Sequence, residues 1–189
     1  MGKKVLTFLA EGFEEVEAIT PIDYLRRTGV EVTVAAITTE KQVKGSHGIS
    51  LVADTTVAAL EQAGQLSVVS WDGVFVPGGM PGASNLAACA PVGNFYKAMN
   101  DAGRIIAAIC ASPAVFLAPL GLLEGKEFTC YPGMEKQVSG GKWLTDKVVV
   151  DGNLVTSRGP GTAVTFALAL VELFTGKDAV KSLCESALL

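Results

Sequence analysis

Short apolar runs of strand length recur along the chain, and the stretches between them read as helices. Val5-Leu6-Thr7-Phe8-Leu9 predicts a first strand, Val30 to Ile37 a β-branched second one, and Val74-Phe75-Val76 a short buried third. Another apolar run, from Arg104 to Ile109, leads into Cys110. Phe128 to Tyr131 reads as a further short strand, and Lys147–Val150 and Leu154–Ser157 flank the hairpin turn Asp151-Gly152-Asn153. Residues 42–52 predict a small hairpin around Gly45-Ser46-His47-Gly48. Helices are expected from the acidic residues 14, 15 and 17 to Arg27, over Thr56–Ala63, Pro91–Asn100 and 163–174, and from about Asp178 onward. The first has acids at its start and Arg26-Arg27 in its last turn, a charge order that suits the helix dipole. Pro21 inside it predicts a kink or a missing hydrogen bond.

Strands alternating with helices predict an α/β fold, with a mostly parallel sheet covered by helices on both faces. Without a repeat, a linker or a low-complexity tract, 1–189 reads as a single domain. In open α/β sheets, sites form beyond the carboxyl ends of the strands. Gly12 to Glu17, Gly78-Gly79 and Cys110 all fall there.

Cys110 lies where a buried strand turns into the segment Ala111-Ser112-Pro113. Proline suits a first helical turn, and a cysteine facing a helix N-terminus is expected to favour thiolate. An inert core cysteine is the alternative, since free cysteines are often buried. Gly78-Gly79 lets backbone N–H groups approach closely, although Pro-Gly-Gly is also a common loop break. In Glu14-Glu15-x-Glu17, one carboxyl is expected to turn inward as a general acid/base while the others face solvent; a wholly solvated first turn is the alternative.

Composition narrows the options. The net charge of −4 and pI near 5.0 leave no basic footprint for nucleic acid. No apolar run reaches the roughly 18 residues of a membrane span, and Val5–Ala10 is too short for a signal-peptide core, so a cytoplasmic location is expected. Cys89, Cys110, Cys130 and Cys184 are scattered, which suggests a reducing compartment. With His47 as the one histidine, neither a zinc site nor a Cys-His hydrolase is expected.

Several segments in order resemble the Parkinsonism-associated deglycase family of the ThiJ/PfpI superfamily. They are Ala10–Glu17, Asp23–Gly29, Val74–Gly79, Ala107–Pro113 and Thr156–Thr162. The resemblance implies a flavodoxin-like α/β sandwich, a homodimer joined through the first helix, and no cofactor. It makes Cys110 the nucleophile and Glu17 the protonated acid beside it. It makes Gly79 and Ala111 backbone donors, with Gly78 supporting the turn. Glu14, Arg27, His47, Ser112, Tyr131 and Arg158 are then expected to line the site or lie near the dimer contact. The chain departs from many relatives in having Tyr131 in place of a histidine, and from some in having His47 in place of an arginine.

Function follows the same resemblance. A cofactor-independent glyoxalase or deglycase acting on methylglyoxal and related α-oxoaldehydes is expected. The alternative is an oxidative-stress sensor or redox-regulated chaperone whose Cys110 becomes a sulfinate. A cysteine peptidase or thiamine-pathway role ranks lower, because Ala111 stands where the peptidases carry histidine. No nucleic acid, membrane or metal is required by any of these.

Overall fold

A computed structural model describes residues 2–189. One seven-stranded sheet organises it. In chain order the elements are β1 (Lys4–Leu9), α1 (Glu15–Arg27), β2 (Glu31–Ala36), β3 (Gln42–Lys44), β4 (Ser50–Val52), β5 (Thr55–Thr56) and α2 (Val57–Gln62). They continue with β6 (Gly73–Val76), α3 (Gly82–Ala88), α4 (Ala90–Asp101), β7 (Ile105–Ile109), β8 (Glu127–Phe128), β9 (Lys142–Trp143), β10 (Val148–Asp151), β11 (Leu154–Ser157), α5 (Ala163–Thr175) and α6 (Lys177–Ala187). The sheet order is β10-β11-β7-β6-β1-β2-β5, and every neighbouring pair is parallel except β10 with β11. This is the flavodoxin-like α/β arrangement expected.

Alternation along the strands sends side chains to two cores. Val5, Leu9, Phe75 and Ile109 pack on one face with Ile22 and Leu25 of α1 and Phe166 and Leu170 of α5. Leu6, Phe8, Val74, Val76 and Ile106 pack on the other with Phe95, Tyr96 and Met99 of α4. Both faces are covered, so the central strands read as nearly continuous apolar runs. Burying each such side chain contributes roughly 1.5–3 kcal/mol. Tyr96, wholly buried, donates its hydroxyl to the Ala107 carbonyl at 3.0 Å and so fixes α4 against β7.

α1 runs through Pro21 as one helix. Proline has no N–H to give the Glu17 carbonyl, so the predicted missing bond lies inside the helix without ending it. The hairpin at 42–52 forms as β3 and β4, and that at 147–157 as β10 and β11. The predicted strand Phe128–Tyr131 is corrected: only Glu127–Phe128 is strand, paired with Lys142–Trp143, because beyond it the Thr129 N–H turns to the Thr156 hydroxyl. No helix is long and apolar enough to cross a membrane among the described residues.

Candidate active site

The carboxyl ends of β1, β6 and β7 bring the three predicted segments together. The Glu14 N–H donates to the Gly78 carbonyl at 3.0 Å, and the Gly78 N–H donates to Glu17 Oε2 at 2.8 Å. Gly78 thus serves the carboxyl, beyond supporting its turn. A Cβ on Gly78 would stand 2.6 Å from the Cys110 Cβ, so only glycine lets the loop after β6 pass this close.

Cys110 occupies a sharp elbow. Its φ of 66° lies in the left-handed region, which a residue with a Cβ adopts at a cost of roughly 1–2 kcal/mol. Neighbours hold it there. Its N–H donates to the Ser157 carbonyl at 2.9 Å, and its own carbonyl accepts from the Tyr131 N–H at 2.7 Å. The buried Ser112 hydroxyl donates to the Pro77 carbonyl at 2.6 Å, tying the elbow to the loop after β6. Ser112 is therefore a brace for the elbow.

The helix expected after Cys110 is not an α-helix. Pro113–Leu117 forms one π-type turn, followed by a 3-10 turn at Ala118–Leu120. So short a segment has little macrodipole, and the cause assigned to a low thiol pKa is missing. Burial instead pushes the Cys110 thiol up, and the charge of Glu17 and its hydrogen bond to the thiol push it further. The backbone N–H groups of Gly79 and Ala111 pull the other way.

Glu17 is wholly buried, and burial raises its carboxyl to about 7. The Gly78 N–H and the Cys110 thiol oppose that rise, and the charge of Glu14 adds to it. Its Oε1 is buried without a hydrogen-bond partner. The repulsion between the two groups exists only while Glu17 is ionised. Once Glu17 holds its proton, its O–H becomes a donor to the sulfur, and its influence on the thiol changes sign. The thiol ionised by a helix end is therefore corrected to a proton-sharing pair that titrates as a unit.

All three acids of the first turn are buried, against the expectation that some face solvent. Glu14 caps α1 by accepting the Glu17 N–H at 2.7 Å. Glu15 pins the β3–β4 hairpin: it accepts the His47 N–H at 2.8 Å and the Ile49 N–H at 3.3 Å, and meets His47 Nδ1 at 2.9 Å. Sequence reasoning missed this clamp, because a glutamate at a helix start looks like a solvated dipole partner.

The other expected residues divide. Tyr131 is half exposed, and a Cβ on Gly159 would stand 3.6 Å from its ring and 4.0 Å from Glu17 Oε1. Arg27 does not line the site of its own chain. It sits at the far end of α1, roughly 15 Å along the axis from Glu17, paired with Asp23 at 2.6 Å. Arg158 holds the Thr145 carbonyl at 3.0 Å. Cys130 is sealed in the core, its thiol pushed up to about 12 by burial, which fits a packing role. A concavity of about 610 Å³ opens between Lys3, Trp71 and Arg104, and none of these site residues lines it.

The chain and its fold are matched by known proteins. Residues 3–173 match the model of the DJ-1/PfpI family. The chain belongs to that family. It is 41% identical over 190 residues to the Drosophila melanogaster protein dj-1beta, covering 100% of this chain and 98% of that one. It is 42% identical over 177 residues to DJ-1 homolog B of Arabidopsis thaliana, covering 93% of this chain but spanning 39% of the plant protein's length. A Caenorhabditis elegans relative named glutathione-independent glyoxalase DJR-1.2 is 37% identical over 174 residues, 92% of this chain and 89% of that one. The structure of oxidised Toxoplasma gondii DJ-1 superimposes with a TM-score of 0.92 at 37% identity, covering 99% of this chain and 98% of that one.

Proposed function

We propose that this protein is a cofactor-independent glyoxalase that converts methylglyoxal and related α-oxoaldehydes to 2-hydroxy acids. The observation that carries this reading is the buried Glu17 carboxyl packed beside Cys110 across Gly78, with the Gly79 and Ala111 N–H groups favouring charge on the sulfur. A relative bearing the name glutathione-independent glyoxalase supports it.

The steps follow from the pair. Cys110 Sγ adds to the aldehyde carbon, and the thiol proton passes to Glu17. The oxygen that gains charge meets the N–H groups of Gly79 and Ala111, in the manner of an oxyanion hole. Glu17 returns the proton to that oxygen, giving a neutral hemithioacetal. Its carboxylate then removes the hydrogen from the former aldehyde carbon and delivers it to the neighbouring carbon through an enediolate, while the hydroxyl proton passes from the first oxygen to the second. The product is a thioester of Cys110, which water hydrolyses to the 2-hydroxy acid and the free thiol. A carboxyl poised near 7 suits both directions of transfer. Tyr131 would cover the bound substrate from the open side.

Lactate formation from methylglyoxal without glutathione tests the proposal. Cys110→Ala should abolish it, and Glu17→Gln should lower it by more than ~10²-fold, the usual worth of a general acid/base. Undiminished turnover in either variant refutes the mechanism.

Redox sensing is the second reading, supported by the oxidised state named for the Toxoplasma relative. The donors that would hold an oxyanion would equally hold the oxygens of a Cys110 sulfinate. Intact mass after mild peroxide should show two added oxygens, lost in Cys110→Ala. A homodimer remains part of the proposal. Val16 and Ile19 on α1 and Ile49 beside it are exposed apolar side chains on one face, suited to a second copy. Sedimentation should give twice the chain mass, and Ile19→Lys should halve it.

A further inference from the structure

The two oxygens of the Glu17 carboxyl have different neighbours. Oε2 accepts the Gly78 N–H at 2.8 Å, and a Cβ on Gly78 would stand 2.9 Å from it, so the loop after β6 closes this oxygen off. Oε1 is buried and has no hydrogen-bond partner among the described residues. Under the glyoxalase reading, on which this inference rests, Oε1 is the oxygen free to face a substrate held on the Cys110 sulfur. The two carbons that exchange the hydrogen then lie before Oε1, and the substituent on the second carbon lies beside it.

Gly159 bounds that space. A Cβ on it would meet the Tyr131 ring at 3.6 and 3.9 Å and Glu17 Oε1 at 4.0 Å, all ordinary van der Waals separations. A methyl group therefore fits between the carboxyl and the ring, and the glycine leaves that volume open. The backbone does not account for this glycine. Its φ of 167° and ψ of −174° are extended, a conformation open to any residue. Gly79 differs, since its φ of 85° favours glycine whatever the space around it. Gly159 is also buried and firmly held. Its N–H donates to the Thr162 hydroxyl at 3.1 Å, and its carbonyl accepts the Thr162 N–H at 2.9 Å. Two residues earlier, the Ser157 carbonyl accepts the Cys110 N–H at 2.9 Å, so one loop fixes both the elbow and this wall.

We propose that Gly159 determines substrate size: its bare surface, the Tyr131 ring and Glu17 Oε1 form the seat for the group attached to the second carbon of the α-oxoaldehyde. The seat takes a hydrogen or a small alkyl group such as the methyl of methylglyoxal. Gly159 moves no proton and contributes no polar group to the chemistry. It acts by leaving room. A side-chain methyl at this position would take the place of the substrate's own methyl, and one carbon in such a pocket is worth ~10–200-fold in kcat/KM. Glyoxal carries hydrogen where methylglyoxal carries its methyl, so it needs no room there.

The test compares glyoxal with methylglyoxal in the wild type and in Gly159→Ala, following glycolate and lactate without glutathione. The ratio of kcat/KM for glyoxal to that for methylglyoxal should rise by ~10–200-fold in the variant. Both aldehydes use Cys110 and Glu17 alike, so a merely structural defect would lower both together and leave the ratio where it was. Thermal unfolding serves as the folding control and should not fall, because the added methyl meets ordinary contacts in an extended segment. An unchanged ratio, or equal loss of both activities, would overturn the seat at Gly159 and leave the glyoxalase reading standing. A wild type without Cys110-dependent turnover of either aldehyde would remove that reading, and this proposal with it.

Discussion

Glu17→Gln removes a titration from the centre of the molecule while keeping the side chain's shape. In the folded protein the Glu17 carboxyl is raised from its ordinary 4.5 to about 7. Below pH 4.5 it is protonated in both the folded and unfolded states and contributes no pH dependence. Between 4.5 and about 7 the unfolded chain sheds the proton and the folded chain keeps it, so stability falls as pH rises. Above about 7 the folded state buries a carboxylate at a constant cost. At ~1.4 kcal/mol per pH unit, that cost is about 3 kcal/mol. Glutamine escapes it, and its amide oxygen still accepts the Gly78 N–H. Urea unfolding of both proteins from pH 5 to pH 8 reads the difference. The variant should gain about 2–3 kcal/mol on the wild type across that range. Parallel stability curves would refute the claim that Glu17 is held protonated by burial.

Other residues give separate checks. Gly78→Ala puts a methyl 2.6 Å from the Cys110 Cβ and 2.9 Å from Glu17 Oε2, and should cost about 1–3 kcal/mol in denaturant unfolding along with most lactate formation. Ser112→Ala leaves the buried Pro77 carbonyl without its donor and should cost ~1–3 kcal/mol, with turnover falling as the elbow loosens; unchanged kinetics would remove Ser112 from its bracing role. Glu15→Ala frees the hairpin, so amide exchange in 42–52 should accelerate while β7 stays protected. Tyr131→Ala alters a half-exposed ring, so stability should stay within ~0.5 kcal/mol while KM for methylglyoxal rises.

The strands β1, β6 and β7 were legible because their apolar runs end in glycine, proline or a small-residue turn. Their carboxyl ends were therefore readable as one place, and Cys110, Glu17, Gly78 and Gly79 meet there. α3 was not legible: Gly82-Ala83-Ser84-Asn85-Leu86-Ala87-Ala88 has one large apolar residue and no stripe. The π-type turn after Cys110 was equally hidden, because Pro113 suits the start of any helical turn. Burial of Glu14 and Glu15 leaves no trace in local pattern; it comes from the hairpin folding over them from thirty residues away. The sign of the Cys110 shift was missed for the same reason. It depends on how deeply Glu17 is buried, which is a tertiary property.

Alkylation of Cys110 as a function of pH, followed by intact mass in wild type and Glu17→Gln, probes the shared proton itself. The pairing predicts a wild-type profile with two steps, one as Glu17 ionises near 7, and a single displaced step in the variant. Superimposable profiles would mean that the sulfur and the carboxyl ionise independently, and the chemistry assigned to them would fall.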